Sequence, residues 1–220
     1  MSFTFSQLDA FEICPKKYYE YNVARSVVDA DRSNLDWGIE VHNSVKEYLK
    51  NNVPLLGPKV LFVTWVDKAR TVPGTPLIEQ KMAIDRNLNP VPYNSKDWWY
   101  RGIVDYSRIG KLAAFAADWK TGKKKNNPTS QLALMALLLF QHYPTLQAIK
   151  TWYVWLEADD ITEQMYYRTD MQKLMMEIIP RVDALEWAFK TQSFPPKRGF
   201  LCKQWCAVRS CPFNGKGPRD

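Results

Sequence analysis

Two charged residues lie two positions apart at the end of an apolar segment. Asp118 and Lys120 follow residues 112–117, a hydrophobic run that predicts a buried strand. Because side chains alternate faces along a strand, Asp118 and Lys120 should point the same way and Trp119 the opposite way. A carboxylate can hold a hard divalent cation while a neighbouring ammonium orients water, chemistry suited to metal-assisted phosphodiester hydrolysis. The triplet alone is also typical of a solvated strand end.

Further groups of residues occur in a fixed order around this triplet. In chain order they are Gly38 and His42 in a helical pattern, Glu79 in a strand-like segment, Gly102 and Asp105 in another, and Gln131 opening an apolar helix. With Asp118-Trp119-Lys120-Thr121-Gly122, this order resembles the RecB-type branch of the PD-(D/E)XK nuclease superfamily. That branch has a Gly-x-x-x-His helix, a Gly-x-x-Asp strand, an (Asp/Glu)-x-Lys-Thr-Gly strand and a Gln-bearing helix. The resemblance covers most of the chain.

The first helical region carries a second set of matching residues. They are Ser6-Gln7-Leu8, Phe11, Cys14-Pro15 and Tyr18. This set is similar to the opening of the iron–sulfur members of the branch, which include CRISPR-associated RecB-like nucleases and phage exonucleases. The resemblance implies an α/β fold with a PD-(D/E)XK restriction-endonuclease-like core, a central mixed sheet flanked by helices. It also implies that the N- and C-terminal segments are joined at a cysteine metal site.

The resemblance implies a role for each candidate active-site residue. Asp105 and Asp118 would bind a catalytic Mg²⁺ or Mn²⁺, and His42 would add a nitrogen ligand that favours manganese. Lys120 would position the attacking water or stabilise the negative charge that develops. Gln131 would reach toward DNA or toward that lysine.

Several of these residues also have a structural alternative. Asp105 could cap the turn after its strand, and His42 could be a half-buried helix histidine satisfied by a neighbour. Glu79 could support the site or be a charged strand residue. The family usually has a tyrosine four residues after Gln131. This chain has Met135 there, so no tyrosine hydroxyl is available from that position.

The chain has four cysteines, Cys14 near its start and Cys202, Cys206 and Cys211 near its end. Two disulfides are arithmetically possible, but the three clustered late cysteines favour a shared metal. The iron–sulfur nucleases combine an early cysteine with a late Cys-x2-Cys-x5-Cys segment, whereas the late spacing here is Cys-x3-Cys-x4-Cys. The resemblance implies a 4Fe–4S cluster, and a four-thiolate site could instead hold Zn²⁺.

The composition of the chain is basic. A net charge of +7 and a pI of about 9.1 suit a surface that binds a polyanion such as DNA. Lys123, Lys124 and Lys125 follow the candidate active-site strand and are predicted DNA contacts. A run of like charges is also typical of a solvated surface.

Length and apolar pattern predict a single nuclease domain of 220 residues. Its core would cover residues 35–190, and residues 1–30 and 192–220 would form a cysteine-containing lobe. Helices are predicted over 35–50, 131–142 and 171–191, and strands over 77–84, 98–106, 112–119 and 151–157. The chain shows no signal-peptide pattern and no apolar run near the roughly 18 residues of a membrane span. We therefore expect a cytoplasmic protein of a bacterial cell, where a phage could encode it.

The spacing of the two acids sets a geometric requirement. If the turn between their strands is centred on Gly110, Asp105 lies five residues before it and Asp118 eight after it. Simple pairing would then not place the acids opposite each other. A bulge or bend is predicted to bring them together.

These residues predict a metal-dependent DNA exonuclease. By resemblance it would resect DNA ends in the 5′-to-3′ direction during recombination, replication or phage DNA processing. Its partners would be DNA and a recombination or replication protein, with no membrane association. The alternative is a noncatalytic DNA-binding or assembly module in which the cysteine site organises a basic surface. The intact set of Asp105, Asp118, Lys120 and Gln131 favours the enzyme.

Overall fold

The computed structural model describes residues 1–28, 33–124 and 129–216. The chain divides into two compact units, one formed by Met1–Arg32 and Met175–Asp220 and the other by Ser33–Leu174. The first unit contains the four cysteines, and the second contains the candidate catalytic residues. Across the described ranges, no helix is long and apolar enough to cross a membrane.

The described residues form six α-helices and several shorter helices. The α-helices are α1 Phe5–Ile13, α2 Pro15–Tyr18, α3 Ser33–Asn51, α4 Val63–Thr71, α5 Thr129–His142 and α6 Met171–Thr191. Short 3₁₀ helices cover Gly57–Phe62, Leu156–Ala158, Arg168–Asp170 and Phe200–Cys202, and a π-helix covers Tyr19–Val23. Cys14 is extended, as the residue before a proline prefers, and this separates α1 from α2. In the first unit, the Arg181 guanidinium of α6 donates two hydrogen bonds to Glu12 of α1.

The strands of the second unit form one six-stranded mixed sheet in the described residues. They are β1 Thr75–Ile84, β2 Pro90–Val91, β3 Tyr100–Ile109, β4 Ala113–Lys120, β5 Ala148–Trp155 and β6 Asp160–Tyr167. Their order is β2-β1-β3-β4-β5-β6, and only the β4–β5 pair is parallel. This confirms the predicted α/β fold with a central mixed sheet flanked by helices.

Helix α5 connects the two parallel strands, which need a crossover rather than a tight turn. It is apolar on nearly every side and almost fully buried, as expected for a helix covered all round. Residues exposed by 1% or less are Leu132, Leu134, Ala136, Leu137, Leu138, Leu139 and Phe140. Gly102 of β3 permits the close approach of this helix, because a Cβ there would lie 3.2 Å from Leu138 Cδ1.

A second apolar layer lies between the sheet and helices α3 and α4. It joins Val41 and Val45 of α3 and Val66 of α4 to Phe115 and Trp119 of β4. Burial of each such side chain stabilises the fold by roughly 1.5–3 kcal/mol. The sheet is thereby covered by α5 and by the α3–α4 layer, and β4 is held at its centre.

Candidate active site

Asp118 and Lys120 lie at the end of β4. Asp118 is only 5% exposed, and Nζ of Lys120 lies 2.6 Å from its Oδ2. This contact shows that the two side chains share one face of the strand. Trp119 turns the other way, into the apolar layer with Val41 and Phe115. The alternation places the acid and the lysine together while the tryptophan anchors the strand.

Asp105 lies where β3 and β4 stop pairing. The last pair before that point is Tyr106 with Ala117, so the same register places Asp105 opposite Asp118. The paired part of β3 and β4 therefore contains no bulge. The connection is a three-residue loop, residues 110–112, and the Gly110 N–H donates a hydrogen bond to the Ala113 carbonyl at 3.0 Å. Its centre lies beyond Gly110, and this restores equal spacing to the two acids.

The Asp105 carboxylate has two partners in the protein. Oδ2 accepts a hydrogen bond from the Trp119 N–H at 3.0 Å and lies 3.4 Å from Nδ1 of His42. Nε2 of His42 in turn lies 2.9 Å from the Trp119 carbonyl oxygen. The imidazole therefore connects α3 to both β3 and β4. Asp105 does not serve as a simple turn cap.

Gly38 explains how α3 comes close enough for His42 to reach the sheet. It lies one helical turn before His42, and a Cβ built on it would be 3.3 Å from Oγ1 of Thr121. That contact is tighter than ordinary packing allows without movement of the neighbour. A larger residue at position 38 would thus push against the segment that follows Lys120.

Gln131 joins the acid to the lysine. Its Nε2 donates to Asp118 Oδ1 at 2.7 Å, and its Oε1 accepts from Lys120 Nζ at 2.8 Å. One amide thus orients both side chains, since the donor and the acceptor of an amide are fixed relative to each other. Between the two roles considered for Gln131, the structure places it on the lysine.

Tyr153 is a site residue that sequence reasoning missed. It is 2% exposed on β5, directly beside Asp118 in the parallel register. Its hydroxyl donates to Gln131 Oε1 at 3.1 Å, and its ring lies 4.9 Å from Lys120 Nζ. Met135 is the one indication of it in the sequence. Because α5 lacks the usual tyrosine, a hydroxyl at the site must come from another element.

Burial raises the pKa of Asp118 to about 6. The nearby charge of Asp105 acts in the same direction, whereas Lys120 and His42 favour the ionised carboxylate. Burial, the largest influence on His42, acts to lower its pKa, but the hydrogen bond and charge of Asp105 outweigh it. The pKa of His42 therefore lies above its ordinary value. Perturbed acids of this kind are typical of functional sites.

The donor types at this site fit a hard divalent cation. Asp118 Oδ2 is buried and has no hydrogen bond of normal geometry, although the Lys120 ammonium lies beside it. A buried oxygen without an aligned donor is a suitable cation ligand. Asp105 and His42 offer a second carboxylate and an imidazole. Among the described residues, no three His, Cys, Asp or Glu side chains are already gathered around one point.

Glu79 lies across from Asp105 in a strained part of β1. Pairing between β1 and β3 is interrupted there, between Ile78–Tyr106 and Gln80–Val104. Glu79 has a φ of +50°, the left-handed region that residues with a Cβ rarely adopt. Its carboxylate is 2.7 Å from Nζ of Lys46. The side chain thus belongs to an ion pair beside the site rather than to the Asp105–Asp118 pair.

The predicted DNA-binding lysines have different surroundings. Lys123 is exposed, and Lys124 forms an ion pair with Asp160 of β6 at 2.5 Å. Lys125 lies outside the described residues. The pairing of Lys124 matches the solvated-surface alternative for that residue.

The four cysteines carry free thiols. The Cys14 sulfur accepts hydrogen bonds from the backbone N–H groups of Lys17 and Lys197, at 3.5 and 3.4 Å. The Cys202 thiol lies 3.9 Å from the carbonyl oxygen of the same Lys197. Residue 197 therefore lies between these two sulfurs.

Cys211 lies near the same region. The pKa of Lys16 is raised mainly by its hydrogen bond to Glu20, and Cys211 is close enough to add to the effect. Within the described parts of the chain, however, the cysteines do not form a ready metal-binding group. The predicted joining of the two chain ends at a cysteine metal site is thus not formed in this structure.

Two solved structures have a similar fold. One, the protein SSO0001, is 14% identical with a TM-score of 0.50, over 97% of this chain and 87% of that one. The other, from Eubacterium rectale and named as a candidate exonuclease, is 11% identical with a TM-score of 0.52, over 93% and 86%. At such identities the likeness shows the fold alone. No curated protein matches the chain.

A family model gives the assignment. The model of the PD-(D/E)XK nuclease superfamily matches residues 2–212, nearly the whole chain. The match includes the buried Asp118, the Lys120 beside it and the Asp105 across the sheet. Nucleases of this superfamily use Mg²⁺ or Mn²⁺. The chain therefore belongs to the PD-(D/E)XK nuclease superfamily.

Proposed function

We propose that the protein is a divalent-metal-dependent deoxyribonuclease that removes nucleotides from DNA ends. The observation that carries the proposal is the Gln131 amide, which holds the Asp118 carboxylate and the Lys120 ammonium side by side. A buried carboxylate lowers the stability of the fold, because burial disfavours its charge. Buried acids with a perturbed pKa are therefore typical of functional sites. Phosphodiester hydrolysis uses both groups.

Each side chain has a separate task in this reaction. A bound Mg²⁺ or Mn²⁺ supplies Lewis-acid charge that stabilises the phosphoryl oxygens. Asp105 and Asp118 would hold it through carboxylate oxygens, and His42 through a ring nitrogen once it has lost its proton. Lys120 orients the attacking water or offsets the negative charge that develops on the phosphate. Gln131 keeps the ammonium group in place.

The exonuclease mode, the 5′-to-3′ direction and the role in DNA end processing for recombination or replication are parts of this proposal. They are supported by the resemblance to iron–sulfur exonucleases and by the name of the Eubacterium rectale neighbour. Lys123 and Lys125 would contact the DNA backbone beside β4, and Lys124 would exchange Asp160 for a phosphate.

We also propose that Cys14, Cys202, Cys206 and Cys211 bind a 4Fe–4S cluster, with Zn²⁺ as the alternative. All four thiols are free and belong to one compact unit. Backbone N–H groups already point at the Cys14 sulfur, and such hydrogen bonds are typical of thiolates that ligate iron.

One digestion experiment tests the exonuclease proposal. Linear DNA labelled at the 5′ or the 3′ end and a closed circle are incubated with the protein and Mn²⁺, or with EDTA. We expect degradation of linear DNA only, early release of the 5′ label, and no reaction in EDTA. Asp118→Asn should be inactive and the exposed Asp183→Asn fully active. Cutting of the circle would contradict the exonuclease mode, and binding without cleavage would support the noncatalytic module.

A further inference from the structure

The C-terminal segment of the first unit has charge of one sign. Residues 192–216 contain five Lys or Arg residues and no Asp or Glu. They are Lys197, Arg198, Lys203, Arg209 and Lys216. Over the whole chain the numbers are far closer, 30 basic against 23 acidic residues. Such a local excess attracts polyanions and falls in strength as salt rises.

Two large aromatic side chains stand out of this basic segment. Phe200 is 87% exposed and Trp205 is 73% exposed. Exposed apolar side chains of this size near one another mark a site of interaction. Both belong to one tight turn, because the Trp205 N–H donates to the Leu201 carbonyl at 3.0 Å. The two rings are therefore carried on ordered backbone.

A cavity of about 550 Å³ lies beside the ring of Phe200. Its walls include the cations Arg198 and Lys203 and the rings of Phe200 and Phe213. Gly215 closes one side, since a Cβ there would be only 2.8 Å from backbone atoms of Lys203. The chain thus places two cations and two aromatic rings around one opening.

We propose that this aromatic-basic surface, formed by Arg198, Phe200, Lys203, Trp205 and Phe213, binds an unpaired DNA strand. Bases stack on the exposed rings while phosphates lie against the cations, the combination typical of single-strand binding. Duplex DNA binds here more weakly, because its bases already cover each other's faces. The inference rests on the proposed DNA substrate and adds that the protein selects the unpaired strand through a surface outside the catalytic unit.

Binding is measured by fluorescence anisotropy with a labelled thymidine 20-mer and with a 20-base-pair duplex. The full-length protein is purified anaerobically, and EDTA is present to prevent cleavage. The double variant Phe200→Ala/Trp205→Ala should bind the 20-mer at least about tenfold more weakly, since each stacked base is lost at a measurable cost. Its affinity for the duplex should change by less than about twofold. Trp187→Ala, which removes a tryptophan that is 64% exposed on α6, is the matched control and should behave as the wild type.

A charge variant tests the second half of the proposal. Lys203→Gln should reduce the slope of the logarithm of affinity against the logarithm of salt by about 0.7 for each phosphate contact that is lost. Circular dichroism melting checks that each variant remains folded. Hydrolysis of bis(p-nitrophenyl) phosphate with Mn²⁺ reports on the active site alone, so its absence would count against the proposed nuclease function and not against this surface.

Three outcomes would overturn the proposal. The double variant could keep wild-type affinity for the 20-mer, Trp187→Ala could weaken binding equally, or the duplex could lose as much affinity as the single strand. A change in elution volume together with unchanged DNA affinity would instead identify the surface as a protein interface.

Discussion

The hydroxyl of Tyr153 donates a hydrogen bond to the amide oxygen of Gln131 at 3.1 Å. That oxygen also accepts from Lys120, whose ammonium can only donate, so the amide has one orientation, with its nitrogen toward Asp118. The tyrosine hydroxyl adds a second hydrogen bond to the amide oxygen. Without the hydroxyl, the Gln131 amide oxygen would lose one of its two hydrogen bonds. The Gln131 amide that holds the Lys120 ammonium is thus supported by a residue of β5, a neighbouring strand.

Removing either charged group of β4 should abolish cleavage. We expect Asp118→Asn and Lys120→Ala to lower kcat by at least about 100-fold, because each loses stabilisation of the transition state. Affinity for DNA in EDTA should change by less than about threefold, since phosphate contacts elsewhere remain. Single-turnover digestion and anisotropy measure the two quantities. Near-normal kcat in either variant would refute its catalytic role.

Tyr153→Phe should slow the reaction while sparing substrate binding. The change keeps the ring beside Lys120 and removes one hydrogen bond, worth about 1 kcal/mol, so kcat should fall about three- to tenfold with KM unchanged. Tyr143→Phe is the control, because its hydroxyl accepts from Gln80. Equal kcat in the two variants would show that Tyr153 only packs. Adding Met135→Tyr, at the position where the family has its hydroxyl, should recover part of the loss.

Metal affinity should depend steeply on pH. Because the pKa of Asp118 is about 6, protons compete with the cation below that pH, and apparent affinity for Mn²⁺ should fall about tenfold per pH unit. The raised pKa of His42 extends the dependence upward. Calorimetric titration between pH 5 and 8 measures this, with Asp118→Asn as a reference that lacks the carboxylate. A flat profile would rule out Asp118 as a ligand.

The raised pKa of Asp118 also predicts how the free energy of unfolding changes with pH. Its pKa in the unfolded chain is 3.8, so between about pH 4 and 6 the folded chain holds a proton that the unfolded chain has lost. In EDTA, the contribution of Asp118 to the free energy of unfolding should therefore fall as pH rises through this window. Asp118→Asn should remove that part of the decline in denaturant titrations.

Relief of strain at Glu79 should be measurable without loss of activity. Glycine adopts a φ of +50° freely, whereas alanine retains the Cβ that makes it costly. We expect Glu79→Gly to be about 1 kcal/mol more stable than Glu79→Ala, by urea unfolding. Both should keep kcat within about threefold, because the carboxylate is engaged with Lys46. A large drop in kcat in both would instead give the carboxylate a supporting role in catalysis.

The cysteines should bind iron when oxygen is excluded. Anaerobically purified protein should be brown and contain about four irons and four sulfides per chain. Cys14 lies 188 positions before Cys202, and a metal that joins them closes nearly the whole chain. Cys14→Ser should therefore lower Tm and solubility more than it lowers the rate of cleavage. Stoichiometric zinc without iron would replace the cluster with a zinc site, and free thiols without metal would end the shared-site hypothesis.

The central strands could be predicted from the sequence because their apolar runs are continuous. β3, β4 and α5 were placed within a few residues, and α6 over its full length. The edge strand β6 was missed because none of its residues is fully buried and half of them are polar, namely Asp160, Thr162, Glu163 and Gln164. Helix α4 was missed because it has only nine residues and begins at a 3₁₀ turn.

The sequence predicts which residues of one strand lie together, but it does not predict which residues of different strands meet. Asp118 and Lys120 follow from strand alternation, but the role of Tyr153 depends on the parallel register of β4 and β5, which no local pattern encodes. The alignment of Asp105 with Asp118 was misjudged by taking Gly110 as the tip of the hairpin. Turn residues indicate that a turn exists, and the hydrogen bonds around it decide where its centre lies.

The three-residue connection at 110–112 lies at the far end of the hairpin from the acids, yet its length decides which residues of β3 and β4 lie opposite each other. One residue added to it would shift β4 by a single step, and a single step turns every side chain of a strand to the other face. Ala117 would then occupy the place of the carboxylate. Among natural variants of this chain, Lys111 and Leu112 should accept changes of residue type, whereas Gly110 should not, because a Cβ there would lie 2.8 Å from the Ala113 carbonyl oxygen. Changes in the length of the loop should be rare.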